Sequence, residues 1–306
     1  MRWNQANNLF IWLFLALNLG LGYLNYLRPT RVMAERGSSS AIYLRAIAEL
    51  AQQGITLEQK PSLIPEKVAP LRLTPQTASS IAPLLLSSLF AGQHAEAERL
   101  LTLSGGEIWR YTTATAILEI APNGQWSYRL QQDQPQATPA IALGYDQAKS
   151  IAESFLRAHH LELPAGAIAG AMRTLADNEL QLVWYLSQKE MPIFDASLCI
   201  TLVAGEVVAL SSSLNVSTSV AGVQQWISSA SDILLRLSRD EYLLDLVAAA
   251  DAGQQLTIRT LTLGYFSRFN AGELNTTSIA YPTWCVLLAS GEALYYDAFG
   301  GQRVYP

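Results

Sequence analysis

The chain has 306 residues, half of them hydrophobic and only 15% charged, with a formal net charge of −5 at pH 7. Lysine occurs only at Lys60, Lys67, Lys149 and Lys189, and no Lys/Arg stripe is present; this excludes a nucleic-acid partner, because phosphate recognition needs clustered cations. A charged fraction well below the about 25% of ordinary soluble domains implies neutral surface, or surface that a partner covers.

Residues 9–27 form an uncharged, mostly apolar run of 19 residues. At ~1.5 Å per helical residue it reaches the ~30 Å of a bilayer's hydrocarbon core, which predicts a single transmembrane helix behind a short tail, residues 1–8. Trp3 precedes the run, Tyr23 and Tyr26 lie near its far end, where amphipathic rings favour headgroups, and Arg28-Pro29 stops it. A cleaved signal peptide is the competing reading, although its apolar core spans only about 7–15 residues. Within the run Asn18 is the strongly polar side chain, with Gly22 and Tyr26 at i+4 and i+8. An amide seeks a partner in hydrocarbon, so Asn18, Gly22 and Tyr26 form a candidate contact face for another membrane helix. Charge leaves the orientation open: three arginines follow the run closely, but long domains are translocated largely regardless of charge.

Residues 28–140 read as a membrane-proximal subdomain. The spacing predicts a helix over 41–53 closed by Gly54. Five prolines between Ile55 and Pro83 predict an extended strap, since each removes a backbone donor and disfavours helix before it. Glu107–Ile120 and Gln125–Gln131 flank the turn signal Pro122-Asn123-Gly124 and predict a hairpin.

Beyond residue 140 a pattern occurs twice. Asp146 is placed to cap a helix with the stripe Ala148, Ile151, Ala152, Phe155 and Leu156, and strands are expected over 168–175, 180–188, 193–202 and 207–214. Ser231 or Asp232 then caps a second helix, Asp240 caps a third, and strands follow over 256–266, 283–289, 293–297 and 302–305. In 256–266 the apolar phase changes between Ile258 and Leu261, which a bulge or burial on both faces permits. Helix followed by strands, twice, predicts an α+β fold of two units, 141–220 and 221–306, each a helix packed on an antiparallel sheet.

Chemistry is sparse. The three histidines, His94, His159 and His160, lack zinc-site spacing, and no G-x-S-x-G elbow or Walker loop occurs. His159 and His160 end a helix, where a partly protonated ring suits the dipole. Cys199 and Cys285 sit in apolar strands and read as buried thiols, with a disulfide as the alternative if the domain lies outside the cell. No catalytic, metal-ligating or cofactor-binding residue is expected, and no cofactor; the chain reads as a binding protein and not an enzyme.

Taken in order, Trp3 with the apolar run to Leu19, then Gln188 with Pro192-Ile193-Phe194-Asp195, Leu263-Gly264-Tyr265-Phe266, Pro282-Thr283-Trp284, and Tyr296-Asp297-Ala298-Phe299-Gly300 resemble the YycI/YycH family, YycI in particular. These are membrane-anchored accessory regulators of a bacterial cell-wall sensor histidine kinase. Cys285 departs from the pattern, which has a basic residue after the tryptophan. The resemblance implies two PepSY- or cystatin-like units, an N-terminus in the cytoplasm and a large domain outside the membrane. It also implies a membrane sensor histidine kinase as partner, with a second, YycH-like accessory regulator beside it. A ligand-binding or protease-inhibiting PepSY-type module is the alternative.

Overall fold

The computed structural model describes residues 12, 14–18, 21, 39–62, 67–101, 106–131, 143–170, 172–176, 178–214, 216–249, 255–267 and 277–304. In chain order these form α1 (Ser39–Gln52), β1 (Ile55–Leu57), β2 (Lys67–Val68), β3 (Leu71–Pro75), α2 (Ala78–Phe90), β4 (Glu96–Leu101), β5 (Glu107–Thr112), β6 (Ala116–Ile120) and β7 (Trp126–Leu130). Then come α3 (Tyr145–Ala158), β8 (Ile168–Ala169), β9 (Arg173–Ala176), β10 (Glu179–Gln188), β11 (Met191–Val203), β12 (Glu206–Ser212), β13 (Val216–Val220) and β14 (Gln225–Trp226). The last part holds α4 (Ala230–Leu237), α5 (Glu241–Ala249), β15 (Leu256–Ser267), β16 (Ser278–Leu288), β17 (Ala293–Asp297) and β18 (Arg303–Val304).

Sixteen of the strands belong to one mixed sheet, whose main path runs β13-β3-β16-β15-β11-β12-β7-β6-β5-β4. This overturns the expected α+β fold of a transmembrane helix followed by two separate helix-on-antiparallel-sheet units. The fold is mostly β, and the strands assigned to different units share a backbone ladder. β11 joins β15 in parallel through Ile193 and Tyr265, β1 joins β15 in parallel, and β3 bridges β13 and β16. No helix among the described residues is long and apolar enough to cross a membrane; the predicted span, 9–27, falls mainly outside the described residues, as do Trp3, Gly22 and Tyr26.

Two apolar cores lie on this sheet. In one, Ala46 and Leu50 of α1 and Ile233, Leu234 and Leu237 of α4 pack on Ile258, Trp284, Val286 and Tyr296. In the other, Ile81, Leu85 and Leu89 of α2 and Ala148, Ala152 and Leu156 of α3 pack on Leu118, Trp184, Ile200 and Leu210. Period-two burial places each strand: Ala116, Leu118 and Ile120 alternate inward along β6, and Leu71 and Leu73 along β3.

Local departures from the sequence reading have physical causes. The strap prediction fails from residue 78 onward, where α2 forms with Pro83 inside it. Burial of Ile81, Leu85, Leu89 and Phe90 outweighs the lost backbone donor. α3 starts at Gly144, whose N–H donates to Gln147 Oε1 at 3.4 Å, so Asp146 lies in the first turn instead of capping it. α4 is capped by Ser229, one turn before Asp232: Ser229 Oγ accepts from the Asp232 N–H, and Asp232 Oδ2 accepts from the Ser229 N–H, each at 3.2 Å. Asp240 does cap α5, accepting from the Leu243 N–H at 3.2 Å. The phase change in β15 coincides with a register shift between Ile258 and Thr260.

Candidate functional site

Five of the positions that carry the family resemblance, Pro192, Phe194, Asp195, Gly264 and Tyr265, meet where β11 pairs with β15. Along β10 and β11, Tyr185 opposes Ser197 while Leu186 opposes Ile193, so Phe194-Asp195-Ala196 stands outside the ladder. The residue that follows β12 holds this bulge: Ser213 Oγ donates to the Asp195 carbonyl and accepts from the Ser197 N–H. The bulge turns the Asp195 carboxylate toward β15, where Oδ2 accepts both the backbone N–H and the hydroxyl of Ser267. Burial pushes the Asp195 carboxyl up to about 6, with the two Ser267 hydrogen bonds opposing that rise.

Gly264 is the contact point on β15. A Cβ there would stand 2.4 Å from the Pro192 carbonyl oxygen and 2.6 Å from the Phe194 ring, so the two strands approach as closely as they do only at a glycine. Tyr265 opposes Pro282 and Leu263 opposes Trp284 in the β15–β16 ladder. The Trp284 indole donates to the Ser228 carbonyl at 3.0 Å, tying β16 to the start of α4. Asp297 closes the β17–β18 turn by accepting from the Gly300 N–H at 3.0 Å, and Gly301 adopts φ +66° there. Pro192, Phe194, Asp195, Gly264 and Tyr265 therefore meet at one strand junction, whereas Pro282 and Trp284 lie on the next strand, β16, and Asp297 and Gly300 in the β17–β18 turn.

Around this junction lies an aromatic and thiol cluster; the sequence singled out Phe194, Phe266, Cys199 and Cys285 separately but not Tyr185, Tyr295 or their meeting. Phe194 meets Tyr185 edge-on at 5.7 Å and Tyr295 at 5.5 Å, and Tyr295 stacks on Phe266 at 4.5 Å. Burial pushes Tyr185 and Cys285 each up to about 12, with Arg173 acting against the rise, and it raises Tyr295 further still. Cys199 and Cys285 are both free thiols. These residues come from β9, β10, β11, β15, β16 and β17, and no local motif links them.

The adjoining sheet surface is open. On the face opposite the α2–α3 core, a groove of about 360 Å³ is lined by Glu119, Gln125, Ser127, Ser197, Ser211 and Ser213. Cross-strand pairing aligns Arg110, Glu119, Ser127, Ser211 and Cys199 in one row across β5, β6, β7, β12 and β11. Arg110 donates through Nε and Nη2 to Glu119 Oε1 at 2.9 and 2.7 Å. The groove offers hydroxyl, amide and carboxylate groups to a polar ligand, and no imidazole lines it.

The histidines lie elsewhere. His159 Nδ1 lies 3.0 Å from the Ser88 carbonyl oxygen, and its ring lies 4.2 Å from that of Phe155, so it fastens α3 to α2. No group of three metal-ligating side chains occurs among the described residues. Asn18 Nδ2 donates to the Phe14 carbonyl at 2.8 Å, within its own helical turn.

No protein-family model matches the chain, that of YycI/YycH included. No curated protein matches it either. Among solved structures the chain is similar to an uncharacterized protein from Eubacterium rectale, with a TM-score of 0.53 at 10% identity over 86% of this chain and 99% of that one; this likeness shows the fold alone. It is also similar to the YpeB C-terminal domain of Bacillus megaterium, with a TM-score of 0.42 at 11% identity, covering 76% of this chain and 96% of that one.

Proposed function

We propose that the chain is a non-catalytic accessory regulator that acts outside the cytoplasm by docking on a membrane sensor histidine kinase. The observation that carries this reading is the convergence of Pro192, Phe194, Asp195, Gly264 and Tyr265 on one strand junction. The family resemblance rests on those residues, and together they make one structural unit. A further support is that the most strongly shifted groups, Cys285 and Tyr295, owe their shifts first to burial in a packed seam, whereas a catalytic group needs access to substrate. A docked regulator shifts its partner only through different affinities for the partner's two states, so the proposal requires a complex whose stability changes with kinase state.

The test is purification from native membranes combined with a signalling reporter. Recovery of a sensor kinase with the chain, and a changed reporter output on deleting it, support the reading. A copurifying kinase whose output is unaffected by the deletion overturns it. The open groove along Glu119, Ser127 and Ser211 favours a second reading, a module that binds a peptide or envelope polymer. Saturable binding of such fragments to the purified chain without any kinase, lost in Ser211→Trp, selects that reading.

A further inference from the structure

We infer that a separate groove between α1 and α4 binds a phosphate-type oxyanion. This groove, of about 400 Å³, is lined by Arg45, Ser228, Asp232, Leu235, Arg236 and Arg239. It gathers three of the chain's 20 basic residues, although the chain as a whole carries −5.

Among the described residues, the three guanidiniums have neighbours that engage only a few of their donors. Arg45 Nε donates to Glu49 Oε1 at 2.8 Å, and Arg239 Nη2 lies 3.5 Å from Glu49 Oε2, so a single carboxylate positions two arginines. Arg236 makes no ion pair among the described residues. Its guanidinium lies against Gly301, where a Cβ would come within 2.6 Å of Arg236 Nε, so a glycine makes the room that this side chain occupies. The Asp232 carboxylate is engaged by the Ser229 N–H and hydroxyl in the helix cap. Three guanidiniums against the two carboxylates Glu49 and Asp232 leave one net positive charge in the groove. A guanidinium presents five N–H donors in a planar fork that fits phosphate oxygens in pairs, which makes this ligand class the chemical complement of the groove.

Inorganic phosphate is the probe, titrated calorimetrically into the full chain at constant ionic strength with chloride as the replaced anion. Saturable binding is expected. Arg236→Gln and Arg45→Gln should each weaken it at least about tenfold, as loss of a charge-assisted hydrogen bond implies. Arg72→Gln, on β3 away from the groove, should not. The Arg45 side chain is 70% exposed, so its variant folds even if Arg236→Gln does not. Absence of saturable binding, or equal affinity in the groove variants and wild type, overturns the inference. Sedimentation with phosphatidylglycerol and phosphatidylcholine vesicles separates the sources of the phosphate. Phosphatidylglycerol-specific binding that Arg236→Gln abolishes assigns a lipid headgroup, and phosphate binding without vesicle binding assigns a soluble phosphate; both support the site. The site stands or falls independently of the kinase reading.

Discussion

Asp195 meets Ser267 at the same chain offset at which Ile193 pairs with Tyr265, but through its side chain: the carboxylate accepts the Ser267 N–H that a backbone carbonyl would take in an unbroken parallel ladder. The bulge that lifts residues 194–196 out of the β10 pairing makes this substitution necessary.

A pH dependence follows. Burial raises the Asp195 carboxyl from 3.8 to about 6, so between those values the folded chain holds a proton that the unfolded chain has released. Its contribution is fully present below the unfolded value and is lost as pH rises through about 6, at a cost of at most about 3 kcal/mol. Urea midpoints should therefore fall between pH 4.5 and 7.5. In Asp195→Asn, which keeps an acceptor oxygen for Ser267 and carries no charge, that fall should flatten. A wild-type midpoint that climbs over this range contradicts the assignment.

Gly264→Ala should destabilise the chain by about 3 kcal/mol or more, because the backbone carbonyl of Pro192 and the Phe194 ring both stand inside the new methyl group's contact distance. Gly144→Ala meets nothing within 4 Å at a φ of −70° and serves as the control, with a change below about 1 kcal/mol. Thermal melts of the two variants side by side give the comparison.

The β10–β11 turn is strained by its residue types. Lys189 and Glu190 both take left-handed conformations, at φ +52° and +65°, where Asn-Gly is preferred. Replacing the pair, K189N with E190G, should raise stability by about 1–2 kcal/mol, read as a higher urea midpoint at unchanged slope.

Pro83→Ala should stabilise α2 by about 1 kcal/mol or more, since it returns a donor to a helix interior at an exposed position. Slower amide exchange through residues 79–87 would report it. Unchanged exchange would mean that the helix already accommodates the proline without loss.

Much of the local structure was legible along the chain. The periodicity of α1 and α3, the turn at Pro122-Asn123-Gly124, the Asp240 cap and the irregularity in β15 all follow from interactions within a few residues. Other features were not legible, for one physical reason: they depend on partners far away in sequence. α2 forms through a proline because its apolar face finds the β6–β12 sheet, and two expected units become one sheet because Ile193 pairs with Tyr265. The seam of Tyr185, Phe194, Phe266 and Tyr295 draws its members from four strands.

By itself the sequence determined which segments are apolar and with what period, where turns fall, and that cations are few and scattered along the chain. Only the tertiary structure decided that Asp195 completes a ladder, that Gly264 admits Pro192, and that Arg45, Arg236 and Arg239 share one groove. Periodicity is set by neighbours along the chain, whereas register, close approach and charge clustering are set by strands and helices that meet only after folding.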